Sequence, residues 1–374
     1  TTNSITQGQP VPGLFGPLFR EGWLIKFAHR TFAWDSEAPG KAAVHCVIVG
    51  FTRDQSTKPR LWDYKRVNSE PEPVKVETGI NAYLVDGVNT LIAKRSKPLS
   101  PELGTVAYGS KPVDGGNLVP KAGVPRPESD PVAMKYVRRF IGAQELLHDT
   151  DRWCVWTEDG FNPADLKRSE ELRTRIEGCR TFREASKPSG DAYKLREMPH
   201  RFRPNPNRPK GDYVAIPAHV SENRSYYTVN HFDAKVICGN ANFVVSDPDG
   251  LQFGLISSSM FITWQQTVGG RLESRLRFAN TLTWNTFPVP EMTEEQRKRV
   301  IDAGKKVLEA RAIHPERSLA DHYNRLAMDP QLLEAHKSLD REVDKVFGAS
   351  KRLQNERQRQ ELLFANYARL AEES

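Results

Sequence analysis

The chain has 374 residues, too many for one ordinary hydrophobic core and enough for roughly two or three domains. Hydrophobic residues make up 38%, which excludes wholesale disorder. No run of about 18 apolar residues is present to span a membrane. The net charge of +7 permits a polyanionic partner without demanding one. Cys46, Cys154, Cys179 and Cys238 form no CxxC pair and are followed by no His pair at zinc spacing. That pattern suits a reducing cytosol. No secretory signal is visible, and the chain opens on Thr1 rather than Met, so it is read as a piece of a longer polypeptide.

In chain order, residues 13–21 read as a short helix and 23–28 as a strand. The nearly continuous apolar run 42–51 has strand length and predicts a strand buried on both faces, with its further partner strands upstream. Residues 54–78, with Pro59, Pro71 and Pro73, read as a linker or loop. A mixed stretch of short strands and loops fills 79–290. Within it, Asn162 and Pro163 predict the start of a helix that runs through Ser186. Phe253, Ile256, Met260, Trp264 and Val268 recur at helical spacing and predict one helix over 250–268, packed on the core and ended by Gly269-Gly270. After Pro290 the composition turns to helix formers. Thr293 and Gln296 make a capping box for a helix to about 312, Asp329-Pro330 opens another, and a last one runs over 350–372.

Several segments resemble the MmeI-like family (type IIL/IIG) of combined restriction-and-modification enzymes. They are "TNSITQG" at 2–8, "FAHRTFAWDSEAPGKAAVHCVIVGF" at 27–51, "INAYLVDG" with "RSKPLSP" within 80–101, "YGSKPVDGGNLV" at 108–119, "KYVRRFIGAQELLH" at 135–148, "TVGGRLESRLRFANTLTWNTFPVPE" at 267–291 and "LEAHKSLDREVDKVFG" near the C-terminus. The resemblance covers essentially the whole chain. It implies an α/β and α+β multidomain fold in three parts: the end of a Rossmann-like methyltransferase sheet (1–78), a mixed target recognition domain (79–290) and a C-terminal helical domain (291–374). It also implies a bacterial cytoplasmic enzyme that methylates the adenine amino group in double-stranded DNA with S-adenosylmethionine. Magnesium would serve the nuclease of the parent protein.

That chemistry needs a Gly-rich cofactor loop and an Asn-Pro-Pro-aromatic loop that grips an extruded base. Neither occurs in this sequence; Asn205 gives only "PNPN". In the family both precede the "TNSITQG" segment. No cofactor is therefore expected in this chain, which is expected to be inactive alone and to work with an upstream part of the same polypeptide. The alternative is a separate DNA specificity subunit that borrows a catalytic partner. The resemblance places Phe32 and Trp34 where a ring would stack on the extruded adenine. His29 and Arg30 beside them are within reach of a phosphate, but a structural hydrogen bond is the expected role of each.

The segment 269–278, "GGRLESRLRF", carries the most information. Read as one strand, its period-two alternation puts Arg271, Glu273, Arg275 and Arg277 on one face and the leucines on the core side. A carboxylate accepts from the cytosine amino group, and a guanidinium donates twice to guanine, so Glu273 and Arg275 suit the two halves of one C·G pair. The resemblance places specificity residues here and at Asn240, Ala241 and Asn242, with small Ala241 beside Arg277. Arg95, Ser96, Lys97, Arg201, Arg203, Arg208, Lys210, Arg224 and Tyr226 are the candidates for phosphate contact.

Overall fold

The computed structural model describes residues 1–34, 44–272 and 275–373. Helix Pro10–Arg20 leads into β1 (Leu24–Trp34), followed by β2 (Val44–Thr52), β3 (Arg60–Tyr64) and β4 (Pro71–Val74). They form one sheet in the order β2-β1-β3-β4, antiparallel except where β1 runs parallel to β3. Three expectations change at this sheet. The first strand continues to Trp34, so Phe32 and Trp34 lie on it. The apolar strand β2 is not buried on both faces: only Val47 is fully buried and Ile48 is 40% exposed. Among the described residues β2 is an edge strand, with only Thr1 and Thr2 lying along it. Residues 54–78 are not a linker but hold β3 and β4. Pro71 and Pro73 are tolerated because β4 is the opposite edge, where a missing N–H breaks no interior ladder.

The middle region contains β5 (Val106–Tyr108), β6 (Val137–Ile141), β7 (Trp153–Val155), β8 (Tyr213–Pro217), β9 (His219–Val220), β10 (Asn230–Phe232), β11 (Ile237–Cys238), β12 (Asn242–Ser246), β13 (Gly270–Leu272) and β14 (Arg275–Arg277). They make three small sheets, β10-β8-β12-β5, β11-β6-β7 and β13-β14-β9. The helix expected from Asn162 is split. Asn162 accepts from Ala164 N–H (3.0 Å), and after the turn Asp165–Arg168 the long helix Glu170–Glu184 starts afresh with Ser169 as its cap, accepting from Leu172 N–H at 3.0 Å. The helix over 250–268 is likewise two, Leu251–Ile256 and Ser259–Val268, because Ser258 caps a second start. The apolar stripe itself is core: Phe253, Ile256, Met260, Trp264 and Val268 are all buried.

Arg183 organises one side of this region. It has no exposed surface, and its five N–H groups donate to five carbonyls: Val113 (2.9 Å), Pro112 (2.9 Å), Leu195 (3.1 Å), Met198 (2.7 Å) and Arg201 (2.8 Å). It thereby ties the long helix to the segment after β5 and to the loop that leads into "HRFRPNPNRPK". Val113 there holds φ at +48°, a costly conformation for a β-branched residue that these bonds help to impose.

The C-terminal helices are Glu294–Ala312, Pro330–Val346 and Glu356–Glu372. The capping box at Thr293 forms, and the last helix begins later than expected, at the cap Asn355. These helices share one core with the other regions. Trp264 packs on Phe364 and Tyr367, and Phe287 packs on Phe347. A second core around Trp153, Cys154 and Phe202 lies under the long helix. The whole is a mixed α/β multidomain fold. Among the described residues no helix is long and apolar enough to cross a membrane.

Candidate nucleic-acid interface

The segment "GGRLESRLRF" is a hairpin rather than one strand. β13 and β14 pair antiparallel, Gly270 opposite Arg277, Arg271 opposite Leu276 and Leu272 opposite Arg275. Side chains directly opposite share a face. Arg275 and Arg277, two apart on β14, therefore point outward together and are exposed, while Leu276 is fully buried. Arg271 shares the inner face with Leu276 and is half-buried, and Leu272 is turned outward at 44% exposure. The expected row on one face is thus corrected: among the described residues Arg275 and Arg277 share the outer face and Arg271 the inner one, because β13 and β14 pair antiparallel. Burial pushes the Arg271 guanidinium down, offset by Glu222 and Glu356. Glu273 lies outside the described residues.

β9 completes the small sheet, with His219 opposite Arg277. Burial, then the Arg275 and Arg277 guanidiniums, hold the His219 imidazole below its usual pKa, so it is neutral at pH 7. Beside it runs a groove of about 770 Å³, whose polar lining includes Ser4, Gln7, Lys94, His219, Arg277 and Asn280. Among the described residues that line it there is no Asp or Glu. One wall is the ring of Tyr108, 59% exposed and packed at a tilt on buried Phe243, 4.4 Å between centroids.

The turn that carries Asn240 and Ala241 joins β11 to β12. Its approach to the end of β5 is close enough to require glycine on both sides. A Cβ on Gly109 would come within 2.3 Å of the Gly239 carbonyl, and one on Gly239 within 2.4 Å of the Phe140 ring. Asn240 and Ala241 are exposed. Asn242 is not: it has no exposed surface, and its amide donates to the Ile141 carbonyl (3.3 Å), which removes it from any base edge.

The phosphate candidates separate sharply. Ser96 and Lys97 are exposed on a loop braced against the groove, where Arg95 N–H donates to the Thr281 carbonyl (2.9 Å) and Asn285 donates to the Arg95 carbonyl (2.9 Å). Arg201 is held by both carboxylate oxygens of Glu158, and Arg203 by Asp191 (2.7 Å). Arg208 lies over the Trp156 ring (4.4 Å) and donates to the Ala234 carbonyl (3.2 Å). With exposed Lys210 it lines a cleft of about 920 Å³ that also holds Arg138 and Arg139, but there Glu158, Asp159 and Asp233 stand among the cations. Arg224 is partly buried and donates to the Ala320 carbonyl (2.9 Å). Tyr226 cannot reach phosphate. It is 5% exposed, stacks on His336 at 3.8 Å and donates to Asp340 (3.3 Å).

At the end of β1, Phe32 stacks on Tyr64 (5.3 Å, 26°) and lies 6.2 Å from Trp34, which is 56% exposed. His29 stacks on Trp62 (4.6 Å) and hydrogen-bonds the Tyr64 hydroxyl (2.9 Å); burial lowers its pKa. Arg30 pairs with Asp63 (2.7 Å) and donates to the Leu84 carbonyl (2.9 Å). Both therefore serve the fold, as their sequence reading expected. Trp62 and Tyr64 went unread because their strand was taken for a loop. The signal was present in Arg60 to Tyr64, where Leu61, Trp62 and Tyr64 gather two strand-favouring aromatics and a leucine in five positions.

Three family models match consecutive stretches of the chain: the DNA-methyltransferase domain of MmeI over residues 1–63, its target recognition domain over 86–291 and its C-terminal domain over 292–373. The chain is 31% identical over 374 residues to DNA methyltransferase A of Bacillus subtilis (strain 168), covering all of this chain and 41% of that protein. It is similar to the solved structure of the type IIL restriction-modification enzyme MmeI in complex with DNA, at 38% identity and a TM-score of 0.80, over 99% of this chain and 49% of that one. The chain therefore spans less than half the length of either relative.

Proposed function

The chain belongs to the MmeI family, and from that premise we propose that it is the part of an adenine-N6 DNA methyltransferase that reads double-stranded DNA in the major groove. The observation that carries this reading is the groove beside the outward pair Arg275 and Arg277, whose described lining holds no carboxylate. Two guanidiniums at period-two spacing on a strand suit guanine O6 and N7 edges, and a described lining without carboxylates admits a polyanion. Glu273 is the proposed acceptor for a cytosine amino group. Asn240 and Ala241 are the proposed second point of base contact. Lys94, Ser96 and Lys97 are the proposed phosphate contacts.

Phe32, backed by Tyr64, is the proposed stacking ring for an extruded adenine, with exposed Trp34 at its side. Stacking of this kind contributes roughly 1–3 kcal/mol per base. The described residues of the first sheet do not fit S-adenosylmethionine. Such a cofactor needs a strand-to-helix turn whose N–H groups face it, and among the described residues none of β1 to β4 is followed by a helix within that sheet. No group of His, Cys, Asp and Glu among the described residues fits a metal ion. The methyl-transfer chemistry is accordingly proposed for an upstream part of the same polypeptide, and the role proposed for this chain is to read the site and hold the base.

The test is a charge exchange, Glu273→Lys with Arg275→Asp, with site preference read by selection from a randomised duplex pool. The expected result is a C preference turned to G at one position and no change elsewhere. Unchanged preference would overturn the assignment.

A further inference from the structure

Tyr108 is unexplained by the fold. A tyrosine on a strand end gains nothing from 59% exposure, yet its ring is held firmly. It sits opposite Phe243 in the ladder, its ring rests on Phe243 at 4.4 Å, and Phe243 rests on Phe278 at 5.0 Å. Phe278 directly follows Arg277. The next residue after the tyrosine, Gly109, is pressed against the turn of Asn240 and Ala241, and Asn240 N–H donates to the Ser110 carbonyl (3.1 Å). Asn205 donates to the Tyr108 carbonyl itself (2.9 Å). A row of three rings in tilted contact thus runs from the core to the groove surface, and its outer ring stands between the two proposed base-reading elements.

From this placement we infer that Tyr108 is a specificity residue, which packs its ring against a thymine C5-methyl at the base pair adjoining the one met by Arg277. The occupant of the groove is duplex DNA, because its described lining carries Lys94 and Arg277 and no carboxylate. Within a major groove the apolar feature that an aromatic ring can read is the thymine methyl. Two rings behind Tyr108 fix its position, so the contact loses little conformational freedom on binding. The inference rests on the reading of this face as the DNA-binding one, and it goes beyond that reading by naming a residue and a base feature.

The test is selection of bound duplexes from a randomised pool by the 374-residue chain and by the Arg277→Ala, Tyr108→Ala and Tyr108→Phe variants. Circular dichroism checks that each variant is folded. The chain itself is expected to enrich one motif, and Arg277→Ala to lose preference at one position. Tyr108→Ala is expected to lose about tenfold of a thymine preference at a neighbouring position, and Tyr108→Phe to keep it. Deoxyuridine at that thymine should weaken binding by the chain and leave Tyr108→Ala unaffected. A Tyr108→Ala motif identical to that of the chain, or a loss spread evenly over all positions, overturns the inference while the effect of Arg277→Ala keeps the DNA-reading proposal standing. No motif enriched by the chain itself overturns both.

Discussion

Two regions of this molecule compete for a polyanion, and the one richer in arginine is the poorer candidate. The loop around "HRFRPNPNRPK" with its cleft gathers Arg138, Arg139, Arg201, Arg203, Arg208 and Lys210, but Glu158, Asp159 and Asp191 neutralise much of that charge at ion-pair distance. The hairpin groove has fewer cations and no carboxylate in its described lining. Charge counted along a sequence is therefore not charge offered to a ligand. A cation that its own protein already satisfies adds little to binding, because its counterion is internal and none is released.

The largest expected effect comes from Arg183, which holds the cleft side together. Arg183→Ala leaves five carbonyls, buried or part-buried, without their donor and should cost at least about 4 kcal/mol in urea unfolding. A loss under about 1 kcal/mol would mean that the loop walls stand without it, and the contrast between the two regions would lose its structural basis.

A second test concerns Tyr226, which the fold puts in the interior rather than on the DNA face. The His336 ring beneath it donates from Nδ1 to the Ser257 carbonyl (3.1 Å) and accepts at Nε2 from the Tyr323 hydroxyl (2.7 Å), so burial holds it neutral, well below its usual pKa. The unfolded chain then takes up this proton first. Stability should fall as pH drops below about 6.5, by up to roughly 1.4 kcal/mol per pH unit until the folded-state pKa is reached. His336→Gln should remove that part of the slope, and Tyr226→Phe should leave DNA affinity unchanged. A pH profile identical with and without His336 would show that the ring is not buried in the native fold.

The smallest expected effect sharpens the comparison most finely. Glu158→Gln releases Arg201 from its bidentate partner. Non-specific DNA affinity should rise by less than about 1 kcal/mol, and the salt slope should steepen by about 0.9. A weaker affinity would mean that Glu158 positions a contact rather than masking one.

The sequence carried the family, the three-part order and the helix caps at Thr293 and Asp329, because each is a local pattern. It also carried the outward pair Arg275 and Arg277, through the alternation around buried Leu276. It did not carry the reversal by which β13 pairs antiparallel with β14, since alternation reads alike across a reversal and along one strand. That reversal turns Arg271 inward and Leu272 outward. The burial of Asn242 and Tyr226 and the ion pair of Arg201 were equally out of reach, because each depends on a partner 40 or more positions distant: Ile141, Asp340 and Glu158. Strands β3 and β4 were missed because proline argues against strands in general, and an edge position that excuses it is a property of the finished sheet.

The groove, rather than the arginine-rich cleft, is the proposed seat of the DNA. Its most direct test is the salt dependence of duplex binding for two double variants, Lys94→Ala/Arg277→Ala in the groove and Arg203→Ala/Lys210→Ala at the cleft side. The slope of log affinity against log salt should become shallower by about 1 to 2 for the groove pair and stay within about 0.5 of the parent for the other. A shallower slope for the Arg203/Lys210 pair, with the groove pair unchanged, would contradict it.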